Sequence, residues 1–193
     1  MEKIIIGLTG PTGAGKSSLT TVAEKLGFKV VDCDKLARTA VEKGTKGLKA
    51  VVMAFGEDVL DSDGALNRKA LAKKAFSSPE KTELLNETLL PHIKELVMSE
   101  IESNSKLLLD APTLFESGLN KICLKNIAVL ADKEIRIERI INRDGIDKDS
   151  ALLRINAGKT DYFYKENADF VIFNNGNTND YIREFENIIK NIM

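Results

Sequence analysis

The chain predicts an α/β fold: a doubly wound, parallel five-stranded sheet with an inserted helical substrate lobe and a helical lid. Three observations point there. Five short apolar runs recur along 193 residues, helical patterns separate them, and a glycine-rich loop joins the first run to the first helix. The runs are Ile4–Leu8, Phe28–Val31, Leu107–Leu109, Ile127–Leu130 and Phe170–Phe173. Such runs suit strands covered on both faces, and strands alternating with helices call for parallel crossovers.

The first run leads into Gly10-Pro11-Thr12-Gly13-Ala14-Gly15-Lys16-Ser17, a complete G-x-x-x-x-G-K-[ST] phosphate loop. The sheet is therefore of the P-loop NTPase type, and its ligand is a nucleoside triphosphate. Gly10, Gly13 and Gly15 let successive N–H groups point into one concavity, and the N-terminus of the next helix, Lys16 to Leu26, adds its partial positive charge. Lys16 can reach the β- and γ-phosphates. The Ser17 hydroxyl is the expected ligand of the bridging Mg²⁺, and Ser18 is expected near the α-phosphate. Gly13, Ala14, Gly15, Lys16, Ser17 and Ser18 are thus the expected nucleotide-binding residues. The rival reading is a strand-to-helix turn with no ligand, but the apolar strand, the full motif and the helix-competent stretch all stand in the required order.

Asp32 ends the second strand and Asp34 opens the next helix. An aspartate at a strand's C-terminal end can orient an acceptor hydroxyl and take its proton, and Asp32 is the candidate; in the structural alternative Asp32 closes the strand and Asp34 caps the helix. Between Val31 and Leu107 lie about seventy mostly helical residues, where a crossover needs about a dozen. This is the inserted lobe, with helices expected over Lys35–Lys43, Leu48–Phe55, Arg68–Phe76 and Pro79–Ser103, the last capped by Ser78 with Pro79 at the first helical position. Asp110 ends the third strand, where a phosphate-loop protein keeps the acid that holds Mg²⁺ directly or through water; Glu116 can add a polar contact. A second helical excursion, Glu134 to Lys165, has the position of a lid. Arg136, Arg139 and Arg143 fall on one face of its first helix, where they can close over the triphosphate, or else form a solvated stripe paired with Glu134, Glu138 and Asp144. The turn Asn174-Asn175-Gly176 after the last strand can border the adenine, although turn chemistry explains it equally well. His92, the only histidine, has no assigned role.

Whole-chain composition agrees with one folded unit, 1–193: a core of about 1–34, 105–133 and 167–193, an insertion of about 35–104 and a lid of about 134–166. With 28 basic against 29 acidic side chains there is no global field to hold nucleic acid or an anionic membrane. Cys33 and Cys123 form neither a zinc pattern nor a disulfide framework and suit a reducing compartment. The opening Met1-Glu2-Lys3 and its short apolar run give no signal peptide or membrane span, so a cytoplasmic enzyme with no obligate protein partner is expected.

Several segments taken together resemble the dephospho-CoA kinase family: Leu8-Thr9-Gly10 with the phosphate loop, Val31-Asp32-Cys33-Asp34, Ala37-Arg38, Gly44-Thr45, Phe55-Gly56, Leu60 to Leu66 followed by Arg68, Asp110 to Glu116, Arg139 to Gly145, and Ala168-Asp169. The match runs nearly end to end. It implies transfer of the ATP γ-phosphate to the ribose 3′-hydroxyl of dephospho-CoA, the last step of coenzyme A synthesis. It also implies Asp32 as the catalytic aspartate, Arg38 and Arg68 on the acceptor side, and Arg139 and Arg143 as lid arginines. The chain departs from the family pattern at Leu90-Pro91 (commonly His-Pro), Gly158 (commonly Gln) and Phe173-Asn174 (commonly Asp-Asn). Another small-molecule or nucleotide kinase would share loop, sheet and lid. A GTPase is disfavoured because Gly158-Lys-Thr-Asp161 lacks the guanine-reading Asn. A non-catalytic ATP sensor is opposed by the intact Lys16, Ser17, Asp32 and Asp110.

Overall fold

The structure, a computed structural model, describes residues 3–193; the opening Met1 and Glu2 lie outside the described residues. In chain order the elements are β1 (Ile4–Thr9), α1 (Ser17–Lys25), β2 (Lys29–Asp32), α2 (Cys33–Thr39), α3 (Lys46–Phe55), α4 (Arg68–Ala75), α5 (Pro79–Ser103), β3 (Lys106–Asp110), β4 (Lys125–Leu130), α6 (Lys133–Asp144), α7 (Lys148–Asn156), α8 (Asp161–Asn167), β5 (Phe170–Phe173) and α9 (Thr178–Ile192).

The five strands form one sheet in the order β2-β3-β1-β4-β5. β1 runs parallel to both β3 and β4, with Leu8 opposite Asp110 on one side and Ile127 on the other, and β4 runs parallel to β5. Because β1 is central, the loop that follows it leaves from the middle of the sheet's C-terminal edge, where an α/β sheet binds its ligands. Alternation along each strand supplies both faces. Ile6, Leu8, Leu108, Ile127, Val129 and Ile172 pack against Leu19, Val22 and Ala23 of α1 and Tyr181, Phe185 and Ile189 of α9. Ala128 and Leu130, pointing the other way, pack with Tyr164 of α8, Phe115 and Val171. A doubly wound sheet is the result. Each fully buried Leu, Ile or Phe contributes about 1.5–3 kcal/mol by leaving water, so most of the sheet's stability lies here.

The chain divides into two compact units. One comprises residues up to Val31 together with Asn104–Met193, and the other is Asp32–Ser103. The second has its own core of Val41, Val51, Phe55, Val59, Leu71 and Ala75, packed against Leu85 and Leu89 of α5. Its helices start where side chains satisfy the first N–H groups: Asp32 accepts from Lys35 N at 2.9 Å, Thr45 from Leu48 N at 3.1 Å and Asn67 from Ala70 N at 2.9 Å. Asp32, rather than Asp34, therefore caps α2, because its extended backbone (φ −79°, ψ 105°) leaves its carboxylate over the first turn while Asp34 is already helical. The excursion after β4 is three helices. Gly145 ends α6 in the left-handed conformation, Asp147 caps α7, and Thr160 caps α8. α7 folds back on α6 through Ile137, Ile140, Ala151 and Ile155.

Candidate functional site

A phosphate loop works only if its N–H groups face the ligand, which requires its carbonyls to be held the other way. Each carbonyl from Gly10 to Gly15 has a donor. Lys16 Nζ donates to Gly10 O at 3.1 Å, Ala14 N to Pro11 O at 3.2 Å, and Arg136 Nε to Thr12 O at 3.0 Å. One Arg139 nitrogen reaches Gly13 O at 3.3 Å and Ala14 O at 3.2 Å. Asn174 Nδ2 also donates to Ala14 O, at 2.9 Å, and the Tyr181 hydroxyl reaches Gly15 O at 3.3 Å. Apart from Lys16 and Ala14 of the loop itself, the donors come from α6, from the end of β5 and from α9, so the loop is gripped from three elements.

Glycine is required where the loop meets these supports. Gly13 has φ +80°, and a Cβ there would lie 2.8 Å from the Arg136 carbonyl oxygen; at Gly15, φ +94°, it would run into the Asn174 amide. Beyond the loop, α1 begins without a side-chain cap: Lys16 at its start makes no capping bond, so the first N–H groups of the helix remain available to a phosphate. Ser17 is exposed and Ser18 half-buried at this end.

Asp110 closes β3 directly opposite Leu8, two residues ahead of the loop. Ala111 N donates to Leu8 O at 3.0 Å and the Thr9 hydroxyl to Pro112 O at 3.2 Å, so the two strand ends are stitched together. The register thus sets Asp110 beside the strand end from which the loop departs.

The arginines of α6 behave differently from one another. Arg136 is buried, 5% exposed, and besides Thr12 O it holds Asp161 Oδ1 at 3.2 Å. Burial pulls its guanidinium below the ordinary arginine range, with the negative charge of Asp161 opposing. Arg139 bridges the loop to Asn174, whose main-chain O and Oδ1 it reaches at 3.0 and 3.2 Å. Arg143 is mostly exposed and forms a two-point ion pair with its neighbour Asp144, which also pairs with Arg154; the hydrogen bonds it donates to Asp144, against partial burial and with the help of that carboxylate's charge, raise Arg143 above its ordinary value. In this form Arg136 and Arg139 point at the loop's backbone, while Arg143 is engaged on the surface. Asn175 makes a reciprocal pair with Asp132, accepting from its N–H at 2.7 Å and donating to Oδ1 at 2.9 Å, which fixes the β5 turn to the start of α6. Nearby, burial pushes the Tyr164 hydroxyl up to about 12, with the charge of Glu116 adding to it.

In the other unit Asp32 is exposed at the end of β2, with one carboxylate oxygen on the Lys35 N–H. Arg38 and Arg68 line one open cavity of about 210 Å³ together with Val41, Leu71, Phe76 and Leu85. Two guanidinium groups at the edge of an apolar pocket suit a ligand with an anionic and a greasy part.

Spacing alone did not reveal the loop-bracing roles of Arg136 and Tyr181. The Tyr181/Phe185/Ile189 period marks a helix, but nothing in it says that the tyrosine hydroxyl would end on Gly15.

Comparison with known proteins agrees with this geometry. The dephospho-CoA kinase family model matches residues 4–180. A rice dephospho-CoA kinase is 37% identical over 97% of this chain and 84% of its own length. One from Halalkalibacterium halodurans is 35% identical over 97% and 96% of the two chains. The solved dephospho-CoA kinase of Campylobacter jejuni superimposes with a TM-score of 0.70 at 25% identity, covering 97% of this chain and 96% of that one. A match over 177 consecutive residues, with the phosphate loop intact inside it, means that this chain belongs to the dephospho-CoA kinase family.

Proposed function

We propose that the chain transfers the γ-phosphate of ATP to the ribose 3′-hydroxyl of dephospho-CoA, giving coenzyme A. The observation that carries the reading is the phosphate loop with every carbonyl from Gly10 to Gly15 turned onto a donor, which leaves its amides, Ala14 N–H apart, for a polyphosphate. Backbone N–H groups of Gly13 and of Gly15 to Ser18 would hold the β- and γ-phosphates in place before reaction, while Ala14 N–H closes the loop on Pro11 O, so little reorganisation is needed as charge shifts. Lys16 adds a point charge on the γ-phosphoryl oxygens. The backbone of Asn174 and Asn175 is the proposed border of the adenine.

The donor set suits Mg²⁺. Ser17 and Asp110 offer oxygens only, and among the described residues no group of three His, Cys, Asp or Glu could cage a metal by itself, which fits an ion that takes most ligands from phosphate and water. Ser17 and Asp110 are the residues proposed to hold it. When bound, the ion would supply positive charge to the phosphates held by the loop.

On the acceptor side, Arg38 and Arg68 are proposed to bind the diphosphate bridge of dephospho-CoA at the rim of their cavity. Asp32 is proposed to orient the 3′-hydroxyl and take its proton as the new P–O bond forms; its second carboxylate oxygen is not committed to the α2 cap bond. Arg143 is proposed to leave Asp144 for the phosphates when the region 134–166 closes. Arg139, already bonded to the loop through Gly13 O and Ala14 O, is proposed to add charge there. Among the described residues no helix is long and apolar enough to cross a membrane.

Mass-spectrometric product analysis tests the reading: protein, Mg·ATP and dephospho-CoA should yield one ADP per acceptor that gains a single phosphoryl group on the 3′ oxygen. ADP release without acceptor phosphorylation, or phosphate on another oxygen, would refute it.

A further inference from the structure

We infer that Arg136 is a positioning residue for nucleotide binding: its guanidinium, held at Asp161, fixes the Thr12 carbonyl so that the neighbouring amides face the phosphates. The inference rests on the reading of the loop as a triphosphate site. Burying a guanidinium is costly, and replacing such a group by a hydrocarbon of similar volume is often neutral or stabilising, so packing alone does not account for an arginine at 5% exposure. Its carboxylate partner is itself 43% exposed and offsets only part of that cost. The bond that burial protects is Nε to Thr12 O, at 3.0 Å.

Three features tie this side chain to the loop rather than to the core. First, the loop rests on the same turn of α6, because a Cβ on Gly13 would meet the Arg136 carbonyl oxygen and Cα at 2.8 and 3.1 Å. Second, the Thr12 carbonyl is held by Arg136 and the Gly13 carbonyl by Arg139, both of α6, whereas Ala14 O has both Arg139 and Asn174. Third, Asp161 is the first residue of α8, so the region after α7 reaches the loop through one ion pair. Arg136 touches no reacting atom in this arrangement; it acts through Thr12.

The role separates from a structural one by its selectivity. Arg136→Met removes the donor, and Mg·ATP binding by titration calorimetry should weaken about tenfold, the size expected when a charge-assisted bond to the loop is lost. KM for ATP should rise in parallel while KM for dephospho-CoA changes less than about twofold. Arg136→Gln keeps an amide N–H for Thr12 O and should recover Mg·ATP affinity to within about threefold of the unmodified chain. Mg·ATP affinity within twofold for Arg136→Met, an equal rise in both KM values, or no advantage of Gln over Met would overturn the inference. Should Arg136→Met fail to fold, Asp161→Ala decides. Its carboxylate is exposed enough to lose without collapse, and release of the guanidinium should weaken Mg·ATP binding about threefold, whereas unchanged affinity counts against the role. Failure of the unmodified chain to bind Mg·ATP would instead sink the loop reading itself.

Discussion

Replacing Gly13 by alanine tests whether the loop is seated on α6. Two costs are predicted. At φ +80° an L-residue is strained by about 1–2 kcal/mol, of which about 0.4–1 kcal/mol is returned because alanine restricts the unfolded chain. The new Cβ would also lie 2.8 Å from the Arg136 carbonyl oxygen, a backbone atom that cannot rotate aside, and overpacking of this kind costs about 1–3 kcal/mol. The sum is about 2–4 kcal/mol. Gly27 supplies the control, since it has φ +84° with nothing within 4 Å of an added Cβ, so Gly27→Ala carries the strain without the collision and should cost about 1 kcal/mol. For a chain of this length each kcal/mol lowers Tm by about 2–4 °C, so thermal unfolding should separate the two variants by about 2–12 °C. Mg·ATP should raise Tm for Gly27→Ala as much as for the unmodified chain, and raise it less for Gly13→Ala. If Gly13→Ala melts with Gly27→Ala and responds equally to Mg·ATP, the loop is not held against α6 as described.

Asp32→Asn should lower kcat by about 10²–10⁴, with the lower end favoured by a loose transition state, and leave Tm nearly unchanged because asparagine caps α2 as well as aspartate does; an unaltered kcat would shift the base role to Asp34. Arg143→Ala should alter stability by less than about 0.5 kcal/mol, since Asp144 keeps Arg154, yet raise the ratio of ADP to phosphorylated acceptor; a pure loss of acceptor affinity would contradict a lid role. Asp169 ties β5 to β4: burial works to raise its carboxyl, but hydrogen bonds from Lys125 Nζ at 2.9 Å and Asn126 N at 2.8 Å, with the Lys125 charge, prevail and hold it below the ordinary carboxylate range. A lowered native value means that the unfolded chain takes the proton first, so this stabilisation is complete above about pH 4 and fades as pH falls through the lower native value. Urea midpoints of the unmodified chain and Asp169→Asn should accordingly differ at pH 7 and converge toward pH 3; a gap independent of pH would refute it.

Much of this molecule can be read from local chemistry. The five apolar runs became the five strands, each within two residues at either end, because fully covered strands need no polar alternation to be recognised. The 25-residue helix Pro79–Ser103 has the bounds its proline and final serine suggest, and Pro91 sits inside it without ending it. Residues 134–165 read as one helical excursion because the pattern is helical throughout; the breaks come from single residues, Gly145 at a left-handed C-cap and Asp147 and Thr160 as N-caps. The helix Thr178–Ile192 shows its period in Tyr181, Phe185 and Ile189, but lies outside the motifs that direct attention. At the site, the loop, Asp32 and Asp110 announce themselves by sequence position. The directions of the arginines do not. Spacing puts Arg136, Arg139 and Arg143 on one face of α6, yet which of them is buried depends on where α8 and the loop lie, and that is settled by tertiary packing. Asn174 and Asn175 likewise read as turn formers, whereas their side chains hold Ala14 and Asp132.

The most direct test follows the phosphate itself. In a single turnover with ATP labelled in the γ-position and excess dephospho-CoA, the unmodified chain should move the label to the 3′ oxygen of the acceptor one for one. Lys16→Ala, folded but lacking the charge on the transferring group, should move almost none. Label released to water by the unmodified chain, or transfer by Lys16→Ala at a near-normal rate, would contradict a loop that grips ATP for this acceptor.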